Sequence, residues 1–212
     1  MKVGFEKITL KTLAIGATIA AVIIILSHFA TDKNTYPEKI NEYRRQKDNY
    51  FKSAVESPIE NKATFEGLHY FEPNEKYKVN AKITLLNDTV PLTVKKNDGR
   101  ESNYLKFALA TFTIDGKEQQ LTLLKNMEES DKEEALFLPF YDKTNGESTY
   151  PGGRYLDLVF NKKSGSITID FNLAYNPYCV YSYKYSCPLP PPENRLDMKI
   201  EAGEKYIQKI EE

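Results

Sequence analysis

The side chains best suited to chemistry crowd into residues 150–204. Three acids, Asp157, Asp170 and Glu193, stand near the bases Arg154 and Arg195. Three amides, Asn172, Asn176 and Asn194, lie among them with Tyr155 and Tyr175, and Glu204 follows. Paired carboxylates can work as general acid and base when their surroundings push their pKa values apart. Arginine can position an anion through its planar fork of donors. Tyrosine offers a flat apolar face with a polar tip, which suits small polar ligands such as sugars, and eight of the fifteen tyrosines lie between Tyr141 and Tyr185. Asp157, Asp170 and Glu193 are therefore the candidate catalytic set, for a hydrolase acting with or without a metal. Arg154, Tyr155, Asn172, Tyr175, Asn176, Asn194, Arg195 and Glu204 are the candidate ligand contacts. The plainer alternative is solvated acids on an outward face and tyrosine rings packing a long loop poor in other hydrophobes.

Two strands must position the acids. Residues 154–160 alternate Leu156, Leu158 and Phe160 against Tyr155 and Asp157, and residues 166–172 alternate Ile167, Ile169 and Phe171 against Thr168, Asp170 and Asn172. If the two pair as a hairpin through residues 161–165, with Phe160 across from Ile167, Asp157 falls opposite Asp170. Like charges so placed need an arginine, a metal ion or a shared proton to offset them. Arg154, Arg195 and Lys184 are the nearby cations. The loop of residues 175–192 would cover this face, its exit held extended by Pro188, Pro190, Pro191 and Pro192.

Cys179 and Cys187 have seven residues between them. Outside the cytoplasm a disulfide closing that loop is the plain reading, and inside it a thiol pair. The spacing does not suit a structural zinc site, and His69 is the only histidine beyond the apolar N-terminal segment, so no metal is assigned. His69 lies in GLHYF between aromatics and reads as a packed strand residue. No glycine-rich phosphate cradle, HExxH pair or nucleophile elbow occurs, and no cofactor is assigned.

The rest of the chain predicts a mainly β (α+β) domain. Tyr77, Val79, Ala81, Ile83 and Leu85 alternate with polar residues, as do Leu105, Phe107 and Leu109 in a run reaching Ile114. Asp115-Gly116 is a two-residue hairpin signal ahead of Leu121 and Leu123. Further strands are expected at 135–141 and 196–201. Many short strands and few helices argue for a β-sandwich or a partly open β-barrel. Ile40, Tyr43, Lys47, Tyr50, Phe51 and Ala54 recur at helical spacing, which predicts one N-terminal amphipathic helix.

Residues 12–31 carry no charge before Asp32 and are long enough for a transmembrane helix. A cleavable signal peptide is the rival, but its apolar run is shorter, at roughly 7–15 residues. The expected organisation is a membrane anchor at 1–31, a linker and helix at 32–56, and a β-rich domain at 57–212. Lys2, Lys7 and Lys11 favour a cytoplasmic N-terminus, while Lys33, Lys39, Arg44, Arg45, Lys47 and Lys52 pull the other way. Long domains translocate largely regardless of charge, so an extracytoplasmic domain is expected. The formal net charge of −1, with no basic block, argues against nucleic acid as a partner.

The segments GGRYLD (152–157), DFNLAYNPYC (170–179), CPLPPPENRL (187–196) and AGE (202–204), with FEGL (65–68) and the stretch 137–142 upstream, resemble the domain of unknown function 1684 family of bacteria and some archaea. The resemblance spans residues 43–206 and implies that these motifs belong to one domain. It supplies no activity. Tyr178 departs from the pattern, standing where a second proline is usual. Members without an export signal also carry the cysteine pair, which leaves a thiol role open. Three functions are then in competition. The first is a membrane-tethered domain binding a small polar ligand or envelope component. The second is a carboxylate hydrolase. The third is an interaction subunit of a membrane assembly that docks through residues 38–54.

Overall fold

A computed structural model of the chain describes residues 35–86, 91–127, 135–161 and 163–206. Two compact units divide the described residues, 35–39 falling in the first and those from Ile40 onward in the second. The expected anchor at 12–31 lies outside the described residues; among the described residues no helix is long and apolar enough to cross a membrane. Helix α1 runs Tyr36–Ser53. Its start is fixed locally, because the Glu38 carboxylate reaches back to the Thr35 N–H at 2.6 Å and the Thr35 hydroxyl at 3.0 Å, as in a capping box. Within the second unit, Ile40, Arg44 and Phe51 form its buried face.

Among the described residues seven strands follow: β1 (Lys78–Leu85), β2 (Leu92–Lys95), β3 (Glu101–Ile114), β4 (Lys117–Asn126), β5 (Ala135–Phe140), β6 (Arg154–Val159) and β7 (Ser166–Asp170). They form one antiparallel sheet in the order β6-β5-β4-β3-β1-β7, with β2 also paired to β3. This single sheet curls into a nearly closed barrel, so of the two expected architectures the barrel holds and the sandwich does not. The curl is forced by connectivity. In a flat sheet β6 and β7 would stand roughly 24 Å apart, five strand spacings. Only residues 160–165 join them, and that link is shortened by a turn, Ser164 N–H to Asn161 O at 2.9 Å.

The β3–β4 hairpin turns at Asp115-Gly116 as expected, both residues having positive φ, 50° and 73°. A bulge at Phe107 then resets the alternation of β3, because Lys106 pairs Leu124 while Ala108 pairs Leu123. Before the bulge Tyr104 joins Val94 and Leu124 in a small outer cluster. After it Ala108, Ala110, Phe112 and Ile114 point into the main core with Leu121 and Leu123. The uninterrupted Leu105, Phe107, Leu109 face expected from sequence is thereby broken.

Three further expectations are corrected. β6 pairs with β5 and β7 with β1, so 154–160 and 166–172 are not a hairpin and Asp157 does not face Asp170. Residues 196–201 form no strand, and β2 was not foreseen. His69 is exposed rather than packed. On the free edge of β6 the chain returns to make one bridge, Tyr155 N–H to Tyr175 O at 2.9 Å and Tyr175 N–H to Tyr155 O at 3.0 Å.

Arg154 shares the strand parity of Leu156 and Leu158 and therefore points inward, where it is 0% exposed. Its guanidinium donates to Asp142 Oδ2 at 2.7 Å, to the Ile200 carbonyl at 2.8 Å and to the Ala202 carbonyl. Asp142 is equally buried and accepts the Thr144 N–H at 2.7 Å and the Thr144 hydroxyl. Burial pulls the Arg154 pKa down and Asp142 opposes that shift. Removing one member strands the other charge. Arg154→Ala should cost about 3–5 kcal/mol in urea unfolding, more than Arg154→Ala made together with Asp142→Ala. A double-variant loss equal to the sum of the two single-variant losses would show that the pair is uncoupled.

Candidate functional site

An open cleft of about 640 Å³ lies on the outer face of β3, β4, β5 and β6. Its floor is Tyr104, Asn126, Phe137, Tyr155 and Asp157. One wall is α1, through Tyr43, Gln46, Lys47, Tyr50 and Phe51, and the other is the returning chain, through Tyr175, Tyr178, Tyr185, Cys187 and Pro188. The rings brace one another. Tyr104 stacks on Phe137 with centroids 5.7 Å apart, Phe137 meets Tyr155 edge-on at 4.8 Å, and Tyr178 meets Tyr185 edge-on at 5.2 Å. The Tyr155 hydroxyl donates to the Pro188 carbonyl, tying the wall to the floor.

The cleft exists because α1 is held to the barrel by charge. The Arg154 contacts fix the chain at residues 200–204, which turns sharply at Gly203 (φ +77°). A Cβ there would come within 2.6 Å of the Ala174 carbonyl. The turn buries Glu204 completely, and its carboxylate receives Lys47 Nζ at 2.9 Å and Asn176 Nδ2 at 3.0 Å. Burial pushes the Glu204 carboxyl above its ordinary range, while Lys47 and Asn176 counter this. Lys47 in turn lies over the Tyr175 ring, 4.7 Å from its centroid, and the Phe51 ring at 5.4 Å. Arg44 adds a second clamp, donating to the Phe71 carbonyl at 2.8 Å.

Of the expected site residues, the cleft brings together Tyr155, Asp157, Tyr175 and Cys187. The Tyr175 hydroxyl donates to Asp157 Oδ2 at 2.7 Å. Asp170 instead caps the short turn Phe171–Leu173, accepting the Asn172 N–H at 3.1 Å, and Glu193 pairs with Lys106 at 2.8 Å on the surface. The three acids therefore do not assemble into one catalytic set. Arg195 is exposed and stacks on Tyr141 at 4.4 Å, and Arg154 is sealed in the core, so neither compensates the acids.

The amides are structural. Asn172 exchanges hydrogen bonds with the Asn74 backbone at 2.8 and 2.9 Å. Asn194 bridges β4 and β5, which share one registered pair among the described residues. It receives the Thr122 N–H at 2.7 Å and donates to the Thr122 and Pro139 carbonyls, both at 2.9 Å. Sequence reasoning missed Lys47, Tyr43 and Tyr50 as site residues because they read as one face of a helix. It missed Tyr104 because the bulge in β3 conceals that it shares a sheet face with Phe137. Among the described residues no group of three or more His, Cys, Asp or Glu side chains converges to hold a metal.

Both cysteines are thiols in this structure, and Cys187 lines the cleft. Cys187 sulfur accepts the Cys179 N–H at 3.2 Å, and the Cys187 backbone is held to Asn97 at 2.7 Å. The Cys179 thiol hydrogen-bonds to Cys187, which brings the Cys187 pKa down to about 7 against the opposing effect of burial; the Cys179 thiol is pushed far up.

The sequence profile of the family described as a protein of unknown function, DUF1684, matches residues 63–205. The chain belongs to the DUF1684 family. The matched span supplies the floor and the returning wall of the cleft, while the α1 wall lies upstream of it. A solution NMR structure of an uncharacterized protein from Haloarcula marismortui is similar to this DUF1684 chain at 38% identity with a TM-score of 0.62, over 79% of this chain and 92% of that one. No curated protein matches the sequence.

The thiol pair gives a pH dependence with a definite sign. A lowered pKa means that the Cys187 thiolate forms at lower pH than an ordinary thiol, near 8.5. Iodoacetamide labelling of Cys187, followed by mass spectrometry, should rise to half its maximum at a pH of about 7. Cys179→Ala removes the thiol donor and should move that midpoint upward. An unmoved midpoint would mean that Cys179 does not tune its neighbour.

Proposed function

We propose that this protein binds a small ligand in the aromatic cleft, as a domain held at a membrane by residues 12–31 and lying outside the cytoplasm. The observation that carries the reading is the convergence of rings from α1, the sheet and the returning chain on one cavity of about 640 Å³. That volume lies inside the range of roughly 300–1,000 Å³ common to small-molecule sites, which are mostly apolar with a few polar groups. Here those groups are Gln46, Lys47, Asn126 and Asp157.

The hydrolase reading is weaker, because its three acids lie on separate elements with separate structural partners. Docking of a partner through the apolar face of α1 is also disfavoured, since Ile40, Arg44 and Phe51 are already covered by the domain itself. The membrane tether rests on the uncharged run of residues 12–31.

The test is a binding screen of sugars, amines, carboxylates and short peptides against the full chain carrying labelled tyrosine rings, read by NMR. At least one chemical class should shift the resonances of Tyr43, Tyr50 and Tyr175 together. Tyr50 is 41% exposed, so Tyr50→Ala should weaken a hit by about tenfold, as loss of an aromatic contact does, with little change in Tm. A screen in which no class moves these rings would contradict the proposal.

A further inference from the structure

We propose that the cleft selects an organic cation, an ammonium group carried on a small apolar body, with Asp157 as its counter-ion. This rests on the reading of the cleft as a ligand site and names the chemistry it takes. The charges decide it. Among the described residues two side chains with formal charge line the cavity, Lys47 and Asp157. Lys47 is already neutralised by Glu204 at 2.9 Å. Asp157 is exposed, accepts one hydrogen bond from the neutral Tyr175 hydroxyl, and makes no ion pair among the described residues. The cavity therefore presents one uncompensated negative charge, and an anionic ligand would meet repulsion.

Asp157 also faces the rings that a ligand would touch. Burial, and then the Asp157 charge, raise the pKa values of Tyr43 on α1 and Tyr175 on the returning chain. For Tyr178 the same charge adds to burial and to the effects of Tyr50 and Tyr185. One carboxylate thus projects its field across both walls of the cleft. A cation placed among these rings gains the carboxylate and the negative ring faces together. The protein already uses such faces for a cation of its own, since the Lys47 ammonium lies over Tyr175 and Phe51.

A neutral sugar would find fewer partners. The hydroxyls of three of the lining tyrosines already donate their one proton within the protein and can only accept: Tyr155 to the Pro188 carbonyl, Tyr175 to Asp157, and Tyr185 to the Glu56 carbonyl at 3.1 Å. A polyol bound there would leave hydrogen-bonding groups of its own unmatched, which costs affinity. A quaternary or aryl-alkyl ammonium has few or no such groups to satisfy.

The experiment compares matched pairs on the full chain in an uncharged polyoxyethylene detergent. Choline is titrated beside its neutral isostere 3,3-dimethylbutan-1-ol, and phenethylammonium beside 2-phenylethanol. The chain contains no tryptophan, so binding is followed by tyrosine fluorescence, and labelled tyrosine resonances locate it. At least one cation should bind about tenfold more tightly than its isostere, the scale of a cation on an aromatic face beside a carboxylate. Asp157→Asn should erase that preference, Asp157→Glu should restore part of it, and neither should alter Tm appreciably. If the isosteres bind equally, or if Asp157→Asn keeps the preference, the cation assignment is wrong. If sugars or carboxylates move the cleft tyrosines while both cations fail, the cation assignment falls and the cleft remains a site. If no compound moves them, both readings fall.

Discussion

A guanidinium sealed inside a barrel is the constraint around which this domain is arranged. Arginine does not shed its proton to escape burial, so Arg154 must be surrounded by acceptors. Asp142 supplies a charge, and the chain at residues 200–204 supplies backbone carbonyls. Supplying them bends that segment around the guanidinium through Gly203 and leaves Glu204 buried on the far side of the turn. A buried carboxylate then needs its own cation, which comes from α1 as Lys47. One charge met by burial thus determines where the helix sits, and the helix makes one wall of the cleft.

The cleft is accordingly a product of packing at a distance rather than of one local motif. Its floor is the outer face of four strands whose inner face builds the core. Its returning wall is stitched to the sheet at the Tyr155–Tyr175 bridge and along β2, where Leu189 N–H meets the Lys95 carbonyl at 2.8 Å. These ties hold the aromatic rings in edge-on and stacked contacts, and a ligand would meet a largely formed site. Such preorganisation limits the entropy lost on binding.

Much of the secondary structure was legible because it obeys local rules. The alternation of Tyr77, Val79, Ala81 and Ile83, the Asp115-Gly116 turn and the spacing in α1 each depend on neighbours a few residues away. The pairing of strands was not legible. Residues 154–160 and 166–172 look like a hairpin by adjacency, yet their short link joins the two edges of a curling sheet. The bulge at Phe107 exchanges the faces of β3 without a mark in composition. Arg154, Asn172, Asn176, Asn194 and Glu204 were read as ligand contacts because polar residues in a dense motif suggest chemistry, whereas each one satisfies buried backbone or charge. The parity of Arg154 with Leu156 and Leu158 was the one available sign that it pointed inward. Asp157, on the opposite parity, is the acid that stays in the cleft.

The most direct test of this chain of dependence is a double-mutant cycle joining Lys47→Met and Glu204→Gln, measured by urea unfolding at pH 8, where Glu204 is favoured as a charge. If the buried pair fastens α1 to the barrel, Lys47→Met alone will be more destabilising than the double variant, with a coupling of about 1–3 kcal/mol. Strictly additive losses would mean that Lys47 and Glu204 do not act on each other, and that α1 is held in place by its apolar face alone.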